Sequence, residues 1–582
     1  MLVRQGVDAL GRRWAICGHV CAGWQCRSVS GRPQVTLRDC DRVLAQVLAR
    51  PGPIDYRLRV DLDEVDRNLS LLLLYPDHGS NFRFLPHIAS KLARVPRDLL
   101  RADRVQELQR VIGRVFGTML DSYRGRDTIT LAHAFAKAGT RDADLFDAIA
   151  ARLLSGQDRS DGLMPLSVKG DAIDLRPSMG LLDARLLANC AWAFAKVNVG
   201  HVALFTEIAR RAAVLMPTFA AQHVANTVWA FARVHVDSAD LFEAAALHAV
   251  TTIDAFQAQE VANSAWAFAV LSHAHPYLFS AIAGRAQVVM PTLLPKHVAI
   301  LAWAFATVRL SDDALFQALA DRAASLIDAF VAVDLSMMAW AFARAAINDQ
   351  DLFAGIGRAT IAQIESFGEQ ELSNLAWAFA TLANVDDDLF RAIAQASLDK
   401  MDAFRAQGLA NLAWSYATLA IPNDALLRAI ARRAMAVIDT FNPQNVANLA
   451  WAFARLNVHV DGLFDAIARR SLAVVGAFSA TELTMLASAF SAMSPGMHDD
   501  LYMAIKHRAV AVLETFDDHQ RTLLSNALMR LTVRHDSPFQ RMPVLGSRQE
   551  LADQQRANAR RDLRIRQAVA ARYQAHRATH DA

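Results

Sequence analysis

Five glutamines each stand four residues before an asparagine: Gln222 and Asn226, Gln259 and Asn263, Gln370 and Asn374, Gln407 and Asn411, Gln444 and Asn448. Four residues is about one helical turn, so in a helix each pair shares a face. A carboxamide carries donors and acceptors together. Repeated along a surface, such groups can pair with the edges of unstacked bases, and a neighbouring cation can bond phosphate or stack on a base. Asn189 has the same surroundings without the glutamine.

A longer period sets these pairs. Eight of the ten Trp lie 37 residues apart, at Trp192, Trp229, Trp266, Trp303, Trp340, Trp377, Trp414 and Trp451. With Trp as position zero, an aromatic follows at plus two (Phe194 and Phe231 onward, with Tyr416 once). A second stands at plus thirteen, from Phe205 to Phe464, with Leu427 the exception. A third stands at plus twenty-seven, from Phe219 to Phe478, with Leu293 the exception. The glutamines fall at minus seven and the asparagines at minus three. Positions minus seven, minus three, plus one and plus four are read as one helical stripe. Plus one is usually Ala. Plus four varies through Lys196, Arg233, Val270, Thr307, Arg344, Thr381, Thr418 and Arg455. Units without the Asn also lack the Gln, carrying Ile300 with Lys296, Met337 with Val333, and Met485 with Thr481. The candidate cations are therefore Lys196, Arg233, Lys296, Arg344 and Arg455. A second reading makes the asparagines structural, each amide satisfying backbone groups between neighbouring helices. Both readings stand at this level.

The elements that carry the stripe follow from periodicity. Around Trp451, the residues Leu449, Phe453 and Leu456 recur at helical offsets. A polar connector follows, and Asp461 is expected to begin a second helix at an N-cap or first-turn position. Asp237, Asp240, Asp312, Asp313, Asp386, Asp387, Asp388 and Asp424 read as helix-start residues in other units. Ala at minus one, plus one and plus three allows close helix approach. Each unit is then a helical hairpin that buries its apolar face only against its neighbours. The expected fold is all-α, a right-handed superhelical α-solenoid of about ten 37-residue helix-turn-helix repeats. Weaker copies extend the array, with His133 and Phe146 before it, Ser488 and Asn526 after it, and a further candidate near Lys91. A polar insertion from about Ser155 to Gly180 interrupts it. The boundaries are an N-terminal region at 1–80, degenerate repeats at 81–180, the regular array at 181–535, and a linker with a basic helix at 536–582.

The unit built on LANLAWAFA resembles the heptatricopeptide and octotricopeptide repeats, and is similar to the helical repeats of FAST-kinase-like proteins. The resemblance covers about Leu131 to Leu531. It implies single-stranded RNA binding, in mitochondria or plastids, for RNA processing, stability or translation. Many such proteins end in a RAP domain, a small nuclease-like module, and no segment here matches one.

Composition narrows the classes. Hydrophobic residues make up 53% and charged residues 20%, which excludes a wholly disordered chain. Lys and Arg number 61 against 58 acidic residues, for a net charge of +3. The segment from Arg548 onward holds eight Arg and four acids, so the chain before it is close to neutral. RNA affinity leans on phosphate neutralisation, so an RNA-binding face must be locally basic. Five Cys make no disulfide framework and fit a reducing compartment. No apolar run is long enough to span a membrane.

The ends are less informative. Residues 1 to about 35 hold five Arg and one acid, Asp8. An organellar targeting segment and a bacterial secretion leader fit them equally. Cys17, His19, Cys21, Cys26 and Cys40 match no standard zinc spacing. Asp61, Asp63, Glu64 and Asp66 read as a helix start or solvated face. The tail carries Arg556, Arg560, Arg561, Arg564, Arg566 and Arg572, suited to phosphates or an anionic surface. His201, His235, His273 and His459 fall in connectors, where they are expected to face water.

No nucleophile elbow, phosphate loop, metalloprotease helix or paired-Cys zinc site is present. The chain is expected to be a non-enzyme without cofactor or metal, and a monomer. One base per repeat gives a footprint of about nine nucleotides. The alternative is a protein- or peptide-binding scaffold, a bacterial cytoplasmic protein or an effector delivered into a host cell. The paired amides and varying plus-four position favour RNA. The neutral array and missing RAP segment favour protein.

Overall fold

The computed structural model describes residues 125–155, 182–493 and 498–531 apart from Arg141 and Ser311, together with Ala89, Ile112, Gly113 and Leu120. The N-terminal Cys and acidic clusters, the copy near Lys91, nearly all of the insertion and the basic tail lie outside the described residues. Every regular element among the described residues is helical. First helices of successive repeats are α1 (Gly125–Ala138), α3 (Ala184–Lys196), α5 (Ala221–Arg233), α7 (Ala258–Val270), α9 (Pro295–Val308), α11 (Ala332–Arg344), α13 (Glu369–Thr381), α15 (Ala406–Thr418), α17 (Pro443–Arg455), α19 (Ala480–Met493) and α21 (Asp518–Leu531). Second helices are α2 (Ala143–Leu154), α4 (Val202–Leu215), α6 (Ala239–Thr252), α8 (Pro276–Val289), α10 (Asp313–Leu326), α12 (Gln350–Ala362), α14 (Asp387–Asp399), α16 (Asp424–Ala436), α18 (Leu463–Val474) and α20 (Asp499–Ala511). The all-α solenoid of hairpin repeats is what the 37-residue period requires.

The chain divides into two compact units, one ending at Ile282 and the other beginning at Ala283. In the first unit α1, α3, α5 and α7 stack in order, and α3 packs on α1 although the insertion separates them in sequence. In the second unit α9 through α21 stack in the same way. In both, successive first helices pack along their lengths while successive second helices touch sparingly. The reason is side-chain size. Ala at minus one, plus one and plus three is almost always fully buried, which lets first helices approach closely.

Large side chains join the repeats. The plus-thirteen ring of one repeat meets the plus-two ring of the next edge to face. Phe146 and Phe194 lie 5.0 Å apart at 81°, Phe205 and Phe231 4.9 Å at 72°, and Phe353 and Phe379 5.0 Å at 68°. The pair of Phe146 with Phe194 shows that the His133 copy is a true repeat. The plus-twenty-seven aromatic follows a short 3-10 turn, such as Ile253–Ala255 before Phe256, and is buried. In most repeats its carbonyl is held by a donor from the second helix of the following repeat, or from the residue that ends it. His248 Nε2 lies 2.8 Å from the Phe219 carbonyl. Gln363 donates to Phe330, Lys400 to Phe367, Arg433 to Phe404, Arg470 to Phe441 and Arg508 to Phe478. Arg322 reaches Leu293 in the same manner. Many second-helix cations thus satisfy backbone between repeats.

The eight first helices that carry the Trp end in a left-handed residue at plus six. Asn198, His235, Ser272, Arg309, Ala346, Ala383, Ala420 and Asn457 all have φ between 53° and 64°. The next N–H turns back to the helix, as from Asn384 to the Phe379 carbonyl at 2.9 Å. A Cβ is unfavourable in this region by about 1–2 kcal/mol. Ala383→Gly is therefore expected to raise stability by about 0.5–1 kcal/mol once unfolded-chain entropy is subtracted. Equilibrium urea unfolding measures it, and a loss of stability would contradict the cap geometry.

Second helices start on polar caps. Asp312 and Asp386 accept from the N–H of Leu315 and Leu389, and Asp240, Asp313, Asp387, Asp388 and Asp424 lie in first turns. Two expectations fail here. Asp237 caps nothing and meets His273 Nε2 at 2.7 Å. Asp461 does not begin a helix, because left-handed Gly462 precedes α18 and delays it to Leu463. Of the connector histidines, His235 and His459 are exposed, whereas His201 accepts from Leu204 N–H to cap α4.

Asp183 caps α3 in the same way, but five other first helices are held from minus six. The side chains of His223, Glu260, His297, Asn445 and Glu482 accept from the N–H three residues earlier. The two histidines must be neutral at Nδ1 to accept. Burial lowers the pKa of His297, with Lys296 adding to it, and burial also lowers that of His223. A histidine depressed in the folded state stabilises fully above its unfolded value near 6.5, and loses this as pH falls through the folded value. The His297→Gln and His223→Gln double variant is expected to flatten the stability–pH curve below about pH 6.5. Denaturation midpoints across pH 5–7.5 test this.

Candidate nucleic-acid interface

The first helices present one open face in each unit, and the structure re-draws the stripe on it. At 100° per residue, positions minus seven, minus three, zero and plus four fall within about 60° of one another. Plus one does not belong, contrary to the sequence expectation. Ala193, Ala230, Ala267, Ala304, Ala341, Ala378, Ser415 and Ala452 are all fully buried. The Trp takes that place, and all eight indoles are half-buried on the face.

Neighbouring indoles form tilted runs. Trp229 and Trp266 lie 6.4 Å apart at 34° in the first unit, where His133 also meets Trp192 at 4.9 Å. In the second unit Trp303 and Trp340 are 6.5 Å apart at 32°, Trp340 and Trp377 6.4 Å at 33°, and Trp414 and Trp451 6.5 Å at 32°. Sequence reasoning used the Trp only to find the period. The angular arithmetic above is the signal that places it on the face.

The amides flank this ladder. Gln222, Gln259, Gln370, Gln407 and Gln444 are exposed. Asn189, Asn226, Asn263, Asn374, Asn411 and Asn448 are half-buried. None of these eleven side chains makes a hydrogen bond among the described residues. The structural reading of the Asn required such bonds between helices, and the geometry does not supply them. Half-buried amides without a protein partner keep donors and acceptors available to a ligand.

Cations border the amides at both ends of the helices. Lys196, Arg233 and Arg344 are exposed at plus four without an ion pair among the described residues. Arg455 is also exposed but anchored, its Nε donating to the Ala417 carbonyl at 3.3 Å and its guanidinium 5.6 Å from the Trp451 ring. Lys296 has an acidic neighbour. Burial raises the pKa of Asp334, and the Val331 backbone and the Lys296 charge offset this only in part. Three cations were missed, Arg126, Lys137 and Arg185, at minus seven, plus four and minus seven of α1 and α3, all exposed. With Lys196 and Arg233 they give α1, α3 and α5 a cationic border with no acid at those positions. In the second unit Thr381 and Thr418 separate Arg344 from Arg455, so the border there is broken.

No group of three or more His, Cys, Asp or Glu is placed to hold a metal among the described residues. Cys190 is buried and its thiol is pushed up to about 12. No helix among the described residues is long and apolar enough to cross a membrane.

Comparison with known proteins gives one decisive finding. The profile of the RNA-editing substrate-binding complex 6 protein family matches residues 167–252, 190–353 and 332–563, together more than half of the chain. The chain belongs to the RNA-editing substrate-binding complex 6 protein family. It is thus a helical-repeat protein of an RNA-associated family. No curated protein sequence matches it. Among solved structures, it is similar to a homology model of the full-length AP-3 complex in an intermediate open conformation, at 9% identity, covering 90% of this chain and 99% of that one with a TM-score of 0.25. It is also similar to the pentatricopeptide repeat protein PPR10 from maize, at 10% identity, covering 85% and 96% with a TM-score of 0.15. At those scores neither carries an argument.

Proposed function

We propose that the chain binds single-stranded RNA along the first-helix face and acts by occupancy, without catalysis, in RNA editing or processing. One observation carries this reading: Gln and Asn amides without protein partners flank a run of partly exposed indoles. Indoles offer base-stacking platforms worth about 1–3 kcal/mol per base, and amides discriminate base edges. The cationic border of α1, α3 and α5 supplies phosphate contacts. Membership of an RNA-editing family supports the same conclusion and favours an organellar setting.

The test is selection from a randomised single-stranded RNA pool at two salt concentrations. Enriched sequences should bind at submicromolar concentration and weaken when Gln222, Asn226 and Arg233 become Ala. Binding seen only at low salt, without enrichment and indifferent to those substitutions, overturns the reading. The second reading, a protein or peptide partner, then takes its place. It is favoured by the broken cationic border of the second unit and by exposed Leu294, Val331 and Val333 beside it.

A further inference from the structure

The amide stripe is not uniform. In chain order Asn holds minus three in α3, α5 and α7, is absent from α9 and α11, and returns in α13, α15 and α17. The two intervening helices carry Ile300 and Met337 there, half-buried like the Asn they replace. Where Gln stands elsewhere they carry Lys296 and Val333. An aliphatic chain or a thioether offers a base edge almost nothing to pair with. The indoles persist, Trp303 and Trp340 lying 6.5 Å apart. These two helices keep the stacking surface and lose the reading groups.

At the C-terminal ends of α9 and α11 lies a cavity of about 350 Å³, whose lining includes Phe305, Phe316, Arg309 and Arg344. Arg344 is the plus-four residue of α11. Arg309 is the left-handed residue closing α9, at φ 58°. Neither guanidinium makes a hydrogen bond or ion pair among the described residues, and no acidic residue lines the cavity. Two guanidiniums on one cavity repel each other, and a bound anion removes that cost. Their planar forks match the paired oxygens of a phosphodiester. Such a contact positions a strand without reading it.

We propose that α9 and α11 grip the RNA backbone through Arg309 and Arg344 and stack its bases unread, so that in the second unit about two unread nucleotides lie beside a block of about three read by α13, α15 and α17. This rests on the RNA-binding reading above. Backbone affinity in the interval is independent of sequence.

Selection with the full chain tests it. The enriched RNAs should show a block of preference beside a flat interval of about two nucleotides. Arg309→Ala with Arg344→Ala should lower affinity equally for enriched and scrambled RNA. It should reduce the slope of log affinity against log salt by about 1.4, about 0.7 per contact on a single strand, and leave the motif unchanged. The Arg309→Lys and Arg344→Lys pair, which keeps both charges, should retain the slope. Val333→Gln with Met337→Asn should create a preference inside the interval. An uninterrupted motif in the native chain overturns this proposal while leaving RNA binding intact. So does an Arg309/Arg344 double variant that changes the motif but not the slope. Failure to bind any RNA overturns both readings together.

Discussion

Phe379→Ala is expected to lower the unfolding free energy by about 3–5 kcal/mol. Phe379 is only 2% exposed, at plus two of α13. Its ring meets Phe353 of α12 edge to face at 5.0 Å and 68°. The loss therefore includes an aromatic pair joining two repeats as well as the transfer and cavity costs of a buried ring. In a solenoid each repeat is stabilised only by its neighbours. Weakening one junction should lower cooperativity as well as stability, so the m-value of the main urea transition should fall or a second transition appear. A loss below about 1 kcal/mol with an unchanged m-value would show that the aromatic pairs are not what couples the repeats.

Trp340→Ala is expected to weaken RNA binding by about 1–3 kcal/mol, roughly 5- to 150-fold, and to do so alike for every sequence. Trp340 is the middle ring of a run of three, touching Trp303 and Trp377. Its own repeat has Val333 and Met337 in place of the amides, so only stacking is removed there. Trp340→Phe keeps a ring and should recover most of the affinity. Asn226→Ala makes the contrast, since it should relax preference at one position with a smaller loss. Binding of folded variants, checked by circular dichroism, separates the two. A sequence-selective effect of Trp340→Ala would show that the indole reads a base and does not merely support one.

Much of the fold is legible in the sequence because its causes are local or strictly periodic. The 37-residue spacing of Trp, the aromatics at fixed offsets and the Ala-rich faces demand stacked hairpins. The copies at His133, Ser488 and Asn526 follow the same rule, and α1, α19 and α21 stand where it puts them. Caps were legible in part. Asp312 and Asp386 cap as their position suggests, but Asp237 pairs with His273 from the next repeat, 36 residues away. The left-handed residue at plus six left little trace, because Asn, His, Ser, Arg and Ala all fill it. Geometry imposed by the hairpin overrides side-chain preference there.

The candidate face shows the same division. The chain by itself determined which residue types recur and at which interval: the Gln and Asn pairs, the varying plus-four position, and the gap at Ile300 and Met337. These follow from the period alone. Only the tertiary structure decided what those residues face. It turned the plus-one Ala into the stack and the Trp onto the open face. It left the Asn amides without partners, and spent Arg433, Arg470 and Arg508 on neighbouring carbonyls. It brought Arg309 and Arg344, 35 residues apart, to one cavity. The physical reason is that a side chain's partners are set by which helix lies alongside, and that is decided by packing between repeats rather than by any one repeat's sequence.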